Sequence, residues 1–177
     1  MVMDSRTRLV EATQDLLWEQ GYSATSPKDI MRRSGAGQGS MYHHFTNKQE
    51  LAVVALECSA QSMRHDTEKL LATDGSAYEI ATAYLRRQRD VLKGCRMGRM
   101  TFDADVLNTP ELIEPVKRTF VWLLEALTVL FERGRDQGEF AADIDARNLA
   151  SLVVATVQGG YVLARATRDT DAFDAAV

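Results

Sequence analysis

The run from Ser26 to Lys48 constrains the fold of this chain more than any other part of its sequence. Ser26 is followed by Pro27 and, three positions on, by Asp29, which is the pattern of a helix N-cap with a capping box. Gly35 supplies a left-handed residue at which such a helix ends. A second helix, short and uncharged, follows at once. The segment therefore predicts a helix-turn-helix, in which the second helix enters the major groove of DNA and the first braces it against the phosphate backbone.

The residues around this motif resemble the tetracycline-repressor (TetR) family of regulators. The resemblance covers roughly residues 6–51 and keeps its register throughout. Its landmarks are Ala12, Leu16, Gly21, Tyr22, Ala24, Thr25, Ile30, Gly35, Gly39, Tyr42, Phe45, Lys48 and Leu51. It implies a helix-turn-helix DNA-binding domain over residues 1–50 and an effector-binding and dimerisation domain over residues 51–177. An ordinary helical hairpin inside an all-α domain is the alternative interpretation of the motif.

Helical spacing of apolar residues continues through the rest of the chain, and no strand-like alternation interrupts it. The predicted fold is all-α, with an N-terminal three-helix helix-turn-helix domain joined to a larger helical ligand-binding and dimerisation domain. Outside the motif, helices are predicted over about 5–20, 48–71, 77–92, 110–135 and 146–167, with a further helix ending near 105. The tail after Arg168 is rich in aspartate, and we expect it to fray.

The net charge of −4 is unevenly distributed along the chain. Residues 1–50 contain six Lys or Arg and six Asp or Glu, so the excess negative charge lies in residues 51–177. Such a balance argues against a protein that coats DNA nonspecifically, and it is compatible with a reader of one short site.

Several other classes of protein are disfavoured by what the sequence lacks. No run approaches the ~20 apolar residues of a membrane span, and no signal peptide is apparent, so we expect a cytoplasmic protein without a membrane partner. Cys58 and Cys95 match no metal or redox spacing. No nucleophile elbow or phosphate-binding glycine loop occurs, so we expect no catalytic residues, metal or cofactor. A small helical enzyme or metal carrier is the alternative in this respect.

Seven residues are candidates for DNA contact. Gln38 can make a bidentate bond to adenine, Ser40 can bond to a base or a phosphate, and the Tyr42 hydroxyl suits a phosphate oxygen. The resemblance implies a phosphate contact for Tyr42 and a contact to backbone or base edges for His43. The remaining three, at helix amino ends where phosphate binds, are Thr25, Lys28 and Lys48.

The second predicted helix also has residues that face the protein or depart from the family. Met41 and Phe45 are expected to pack inward, and His44 either packs or faces DNA. The family commonly has Ser-Lys where this chain has Gly37 and Gln38. The loss of that lysine removes a cationic contact and leaves the half-site sequence open.

The C-terminal part is rich in methionine and aromatic residues, whose side chains can repack around ligands of varied shape. The resemblance implies an effector cavity in this domain, for a small, largely apolar effector. A guanidinium beside it would suit a carboxylate or phenolate, although Arg96 and Arg99 could equally face outward. The candidate effector-binding residues are Met63, Arg96, Met97, Met100, Phe102, Phe120 and Tyr161.

The last two long helices each carry a wide apolar stripe, and a monomer could hardly bury both. In TetR-like proteins the two closing helices of each subunit form a four-helix dimer interface. The candidate interface residues are Leu123, Leu127, Val153, Val157 and Gly160.

The sequence thus predicts a homodimeric transcriptional repressor that binds a palindromic operator in double-stranded DNA and is released by a small-molecule effector. The alternative is a TetR-like DNA-binding protein that responds to a protein partner and has no small-molecule effector.

Overall fold

The computed structural model describes residues 4–177, so the first three residues of the predicted DNA-binding domain lie outside the described residues. Over residues 4–177 the chain forms ten α-helices and no strand, which confirms the all-α prediction. The helices are α1 (Ser5–Gln20), α2 (Pro27–Ser34), α3 (Gln38–His44), α4 (Lys48–Leu71), α5 (Ala77–Arg86), α6 (Arg96–Met100), α7 (Ala104–Asn108), α8 (Pro110–Asp136), α9 (Ala146–Thr167) and α10 (Asp171–Asp174).

The ends of α2 follow from local chemistry. The Asp29 amide donates to Ser26 Oγ over 3.2 Å, and the Ser26 amide donates to the Asp29 carboxylate over 3.1 Å. This reciprocal pair is the predicted capping box. Gly35 ends the helix at φ +66°, in the left-handed region that glycine adopts without strain.

The chain folds into two compact units. The first unit runs to Ser62 and also includes Arg96–Lys117, whereas the second consists of Met63–Cys95 and Arg118–Val177. Helices α4 and α8 therefore contribute residues to both units. This division differs from the predicted boundary at residue 50, because α6 and α7 belong to the same unit as the helix-turn-helix.

The first unit is built around α1, which packs on α2, α3 and α6. Its apolar face supplies Leu9 and Leu16, both buried, and Ile30 and Met41 are fully buried on α2 and α3. The two short helices α2 and α3 thus both pack on the longer helix α1, as in a helix-turn-helix.

The second unit has a core formed by one face each of α5, α8 and α9. Buried members include Tyr84 on α5, Leu127 and Phe131 on α8, and Val157 on α9. By length and composition α9 could cross a membrane, a property that core helices share, and its inner face lies in this core.

The C-terminal tail does not fray, contrary to the sequence prediction. Residues Asp171–Asp174 form α10, and Phe173 is only 3% exposed. The centroids of the Phe173 and Tyr161 rings are 5.0 Å apart, and the Phe173 ring fills the space beside Gly160. A Cβ at Gly160 would come within 2.8 Å of the Phe173 ring. The aspartates of the tail indicate exposure, but Phe173 packs beside Gly160 and anchors the tail.

Two predicted helices have different bounds in the structure. The fifth ends at Arg86 rather than near residue 92, and the Arg89 guanidinium donates to carbonyls at its end, including that of Leu85 at 2.7 Å. The predicted sixth helix is divided into α6 and α7, because the Asp103 side chain caps a new helix.

Candidate DNA-binding interface

Helix α3 presents a row of polar side chains on a buried support. Met41 is fully buried and Phe45 nearly so, which confirms their predicted inward packing. Gln38, Tyr42 and His43 are exposed on the other side of the helix, and Ser40 is half-buried. A short helix that is anchored by one face and polar on the other is suited to reading the edges of bases in a groove.

His44 belongs to the packing side. Its Nε2 lies 2.9 Å from Ser5 Oγ, and its ring meets that of Phe45 edge-on with 6.4 Å between centroids. The packing interpretation of His44 is therefore correct, and the end of α3 is tied to the start of α1.

The amino end of α2 carries an exposed Lys28 beside the capping box. Hydrogen bonds from Ser26 lower the pKa of Asp29, so this carboxylate stays ionised and holds the first turn. At the other end of the helix, Arg33 pairs with Glu19 of α1 at 2.6 Å. This pair joins α2 to α1, and Lys28 is presented to solvent.

The Thr25 side chain, predicted to contact phosphate, is buried against the α1–α2 turn. Thr25 is only 2% exposed, and its hydroxyl donates to the Gly21 carbonyl over 2.6 Å. The hydroxyl closes the turn between α1 and α2, which holds it inside the protein.

Lys48, also predicted to contact phosphate, has partners within the first unit. Its Nζ donates to the carbonyls of Tyr22 and Thr25, both at 2.9 Å, and lies 3.8 Å from the centroid of the Tyr22 ring. Burial lowers the pKa of Lys48, although Asp105 and Asp103 act in the opposite direction. The ammonium ties the start of α4 to the α1–α2 turn.

The same turn is held from α7 by residues that sequence reasoning missed. The Asp103 carboxylate accepts from the Ser23 amide at 2.9 Å and from the Ser23 hydroxyl at 2.6 Å, while Asp105 lies 2.8 Å from that hydroxyl. A Cβ at Gly21 would lie 2.9 Å from an Asp103 oxygen, so glycine permits this approach. Partial burial raises the pKa of Asp103, but hydrogen bonds from Ser23 outweigh it and lower the pKa overall. The only sequence signal was an aspartate at a helix-capping position, which does not reveal a partner 80 residues away.

Arg96, predicted to contact an effector, has partners within the first unit. Its guanidinium pairs with Asp15 at 3.3 Å and lies 4.0 Å from the centroid of the Trp18 ring. Both partners are on α1, so Arg96 fastens α6 to the helix that supports the motif.

The other predicted effector residues are divided between the two units. Met97 and Met100 are fully buried in the first unit, whereas Phe102 is 80% exposed and does not line an enclosed cavity there. Met63, Phe120 and Tyr161 are partly buried residues of the second unit. Burial raises the pKa of Tyr161 to about 12, so its hydroxyl is neutral at physiological pH.

The predicted dimer contacts point into the subunit. Leu123, Leu127, Val153, Val157 and Gly160 are all buried in the second unit. The predicted interface residues therefore lie on the inner faces of α8 and α9. The exposed apolar residues of α8 and α9 are instead Val121, Val129, Leu152, Val162 and Leu163.

Comparison with known proteins agrees with this architecture. The sequence model described as "Bacterial regulatory proteins, tetR family" matches residues 9–55, and that described as "Tetracyclin repressor-like, C-terminal domain" matches residues 75–177.

Individual relatives match over most of their length. The uncharacterized HTH-type transcriptional regulator YxaF of Bacillus subtilis is 24% identical over 94% of this chain and 87% of its own. The HTH-type transcriptional repressor ComR of Escherichia coli is 25% identical, over 90% of this chain and 79% of its own. A TetR transcriptional regulator from Chloroflexus aurantiacus superposes with a TM-score of 0.86 at 28% identity, covering 97% of this chain and 89% of that one. The chain therefore belongs to the TetR family of bacterial transcriptional regulators, which are DNA-binding proteins rather than enzymes.

Proposed function

We propose that this protein is a cytoplasmic, homodimeric repressor that reads a palindromic operator with α3 and responds to a small-molecule effector. The observation that carries the DNA-binding part is the row of exposed polar side chains on α3, supported by the buried Met41 and Phe45. The relative ComR is named as a repressor, which favours repression over activation.

Each exposed residue on this surface has a distinct role in the proposal. Gln38 reads a base through its side-chain amide, since Gln forms bidentate hydrogen bonds with adenine in the major groove. Tyr42 and Lys28 hold phosphates and set the position of the helix. Ser40 and His43 contact the backbone or base edges beside them.

The dimer would form through the outer face of α9. Leu152, Ala155, Gly159 and Leu163 are all exposed and recur at helical spacing along one side of this helix. A Cβ at Gly159 would meet nothing within 4 Å in the subunit, so this position leaves room for a second helix to approach closely. Two copies related by a twofold axis would present their α3 helices to half-sites ~34–36 Å apart.

Effector response would act through α4, which begins at Lys48 beside the α1–α2 turn and continues into the second unit. A displacement of α4 on effector binding would change the separation of the two α3 helices, and a few ångströms would suffice to lose one half-site. In this proposal DNA contact lies within residues 1–50 and effector binding and dimerisation within residues 51–177.

Operator selection followed by titration of one variant tests the proposal. Gln38→Ala should relax the preference at one base pair, with a loss of about 1–3 kcal/mol at that position. Gln137→Ala, an exposed change in the α8–α9 connection, is the matched control and should bind like the wild type. A uniform loss of affinity for all sequences with Gln38→Ala would contradict base reading by this residue. Tight binding that ignores sequence would contradict the proposed function.

A further inference from the structure

Half of the lysines and arginines in residues 4–50 already have polar partners within the protein. Arg32 pairs with Asp29 at 2.8 Å. Arg33 and Lys48 have the partners described above, on α1 and in the α1–α2 turn. Within residues 4–177, the other three form no ion pair and no side-chain hydrogen bond, and they are Arg6, Arg8 and Lys28. Lys28 belongs to the helix-turn-helix, whereas the two arginines lie on α1 and have no role in the proposed function so far.

The first turn of α1 lies alongside α3 and runs in the opposite direction. At the carboxyl end of α3, the guanidinium carbon of Arg6 lies 5.5 Å from the centroid of the Phe45 ring. At the amino end of α3, Arg8 Nη1 lies 3.7 Å from the position that a Cβ on Gly35 would take. The two guanidiniums therefore flank α3, one near each of its ends.

Both guanidiniums lack a counter-charge from the described part of the chain. The contact with the Phe45 ring holds the exposed Arg6 in place but does not neutralise it. Arg8 is half-buried, and its Nε is buried with no hydrogen-bond partner. Asp4 and Glu11 lie within about one turn of Arg8 along α1, but both are exposed and neither forms an ion pair with it. Arginines in such surroundings have N–H donors to offer to an anion from outside the chain.

The size of the major groove indicates which anion this is. An α-helix with its side chains is about 10–12 Å across, which nearly fills a groove about 12 Å wide. Cations beside such a helix therefore lie at the edge of the groove, where the phosphates are. The flank of α3 next to α1 adjoins its exposed side, because the ring centroids of His43 and His44 are 5.0 Å apart and His44 Nε2 lies 2.9 Å from Ser5 Oγ.

We propose that Arg6 and Arg8 bind phosphates of the operator at the edge of the groove that α3 enters, so that the DNA-contact surface extends onto α1. The planar fork of a guanidinium matches the oxygens of a phosphate. Phosphate contacts carry no sequence information, so these two arginines contribute affinity and position rather than base preference. This inference rests on the proposed function, since it requires α3 to enter the major groove.

The salt dependence of operator binding by the full-length protein tests the proposal. Each phosphate contact contributes about 0.9 to the slope of log binding constant against log KCl concentration. Arg6→Gln should therefore reduce this slope by about 0.9 per subunit, or about 1.8 for the proposed dimer, in fluorescence anisotropy titrations between about 50 and 200 mM KCl. Arg6→Lys keeps the charge and should keep the slope. An unchanged slope in Arg6→Gln, or equal reductions in Arg6→Gln and Arg6→Lys, would overturn the proposal.

Two further variants show whether the effect is local. Arg8→Met removes the charge, keeps an unbranched stem in the half-buried position, and should reduce the slope as much as Arg6→Gln does. Arg86→Gln, an exposed arginine of α5, makes the same change in net charge as Arg6→Gln and should leave the slope unchanged. An unchanged slope in folded Arg8→Met, or an equal reduction in Arg86→Gln, would overturn the proposal. If Arg8→Met does not fold, the two Arg6 variants decide alone.

Base preference separates this inference from the proposed function. Arg6→Gln should lower affinity for all duplexes alike and leave the preferred operator unchanged. Sequence-specific binding by the wild type, with a slope that neither Arg6→Gln nor Arg8→Met changes, would overturn this inference alone. Sequence-blind binding with a slope that both variants reduce would contradict the proposed function and support the phosphate contacts. If the wild type binds no duplex at low salt, both are overturned.

Discussion

Replacing Asp103 with alanine tests whether the start of α7 holds the turn between α1 and α2. The carboxylate accepts two hydrogen bonds from Ser23, at 2.9 and 2.6 Å, and caps α7 through the amides of Asp105 and Val106. Loss of an N-cap costs about 1 kcal/mol. Each bond to Ser23 contributes about 0.5–1 kcal/mol, in the lower part of the usual range because Ser23 is exposed and water replaces it. We therefore expect Asp103→Ala to lower the free energy of unfolding by about 2–3 kcal/mol.

Two further variants separate the contributions, with urea unfolding followed by circular dichroism as the assay. Asp103→Asn keeps a capping oxygen and should lose only about 1 kcal/mol. Asp105→Ala removes one contact with the Ser23 hydroxyl, at 2.8 Å, and should change stability by no more than about 0.5 kcal/mol. Equal losses for Asp103→Ala and Asp105→Ala, or a loss below about 0.5 kcal/mol for Asp103→Ala, would refute the reasoning.

The contribution of Asp103 also has a defined pH dependence. Its pKa in the folded protein lies below the ordinary value of 3.8, so the folded state binds the proton more weakly than the unfolded state. The stabilisation is fully present above that ordinary value and is lost as the pH falls through the folded pKa. The stability difference between the wild type and Asp103→Asn should therefore be constant at neutral pH and shrink in acid. A difference that grows in acid would contradict the sign of the shift.

Three further predictions concern packing, assembly and DNA contact. Phe173→Ala should lower stability by about 3 kcal/mol, because its ring is buried, whereas Phe102→Ala should cost no more than about 0.5 kcal/mol, because its ring is exposed. Thermal unfolding measures the stability of the two variants. Equal losses of stability would contradict the packing of α10 through Phe173. Leu152→Glu should convert the proposed dimer to monomer in sedimentation velocity, and an unchanged dimer would contradict dimerisation through the outer face of α9. Tyr42→Phe should lower the affinity for specific and nonspecific DNA alike in fluorescence anisotropy titrations. A change in the preferred sequence would contradict the proposed phosphate contact of Tyr42.

The sequence by itself determined the helices and the motif, because their signals are local. Ser26 and Asp29 interact over three residues, and Gly35 ends the helix in the left-handed conformation that glycine adopts without strain. Met41 and Phe45 are predicted to face the packing side, and the structure agrees. Signals of this kind depend on backbone geometry within one or two turns, and so they can be recognised without knowledge of the fold.

Only the tertiary structure decided which partners the polar side chains take. Lys48 and Arg96 carry charges that suggest a phosphate or an anionic ligand, yet Lys48 donates to carbonyls of the α1–α2 turn and Arg96 pairs with Asp15 of α1. Asp103 reaches Ser23 across 80 residues of chain. A long polar side chain satisfies its hydrogen bonds with whatever the fold brings near, and residue type does not encode that neighbour.

The same limit applies to the apolar faces of α9. Val153 and Leu152 are adjacent and both apolar, but the first is buried in the second unit and the second is 62% exposed. Helical periodicity shows that two apolar faces exist, and it does not say which of them α5 and α8 cover. The inner face is selected by complementary shape, as where Phe173 fills the space beside Gly160. Close packing of this kind is a property of the assembled core, and so it was decided by the tertiary structure alone.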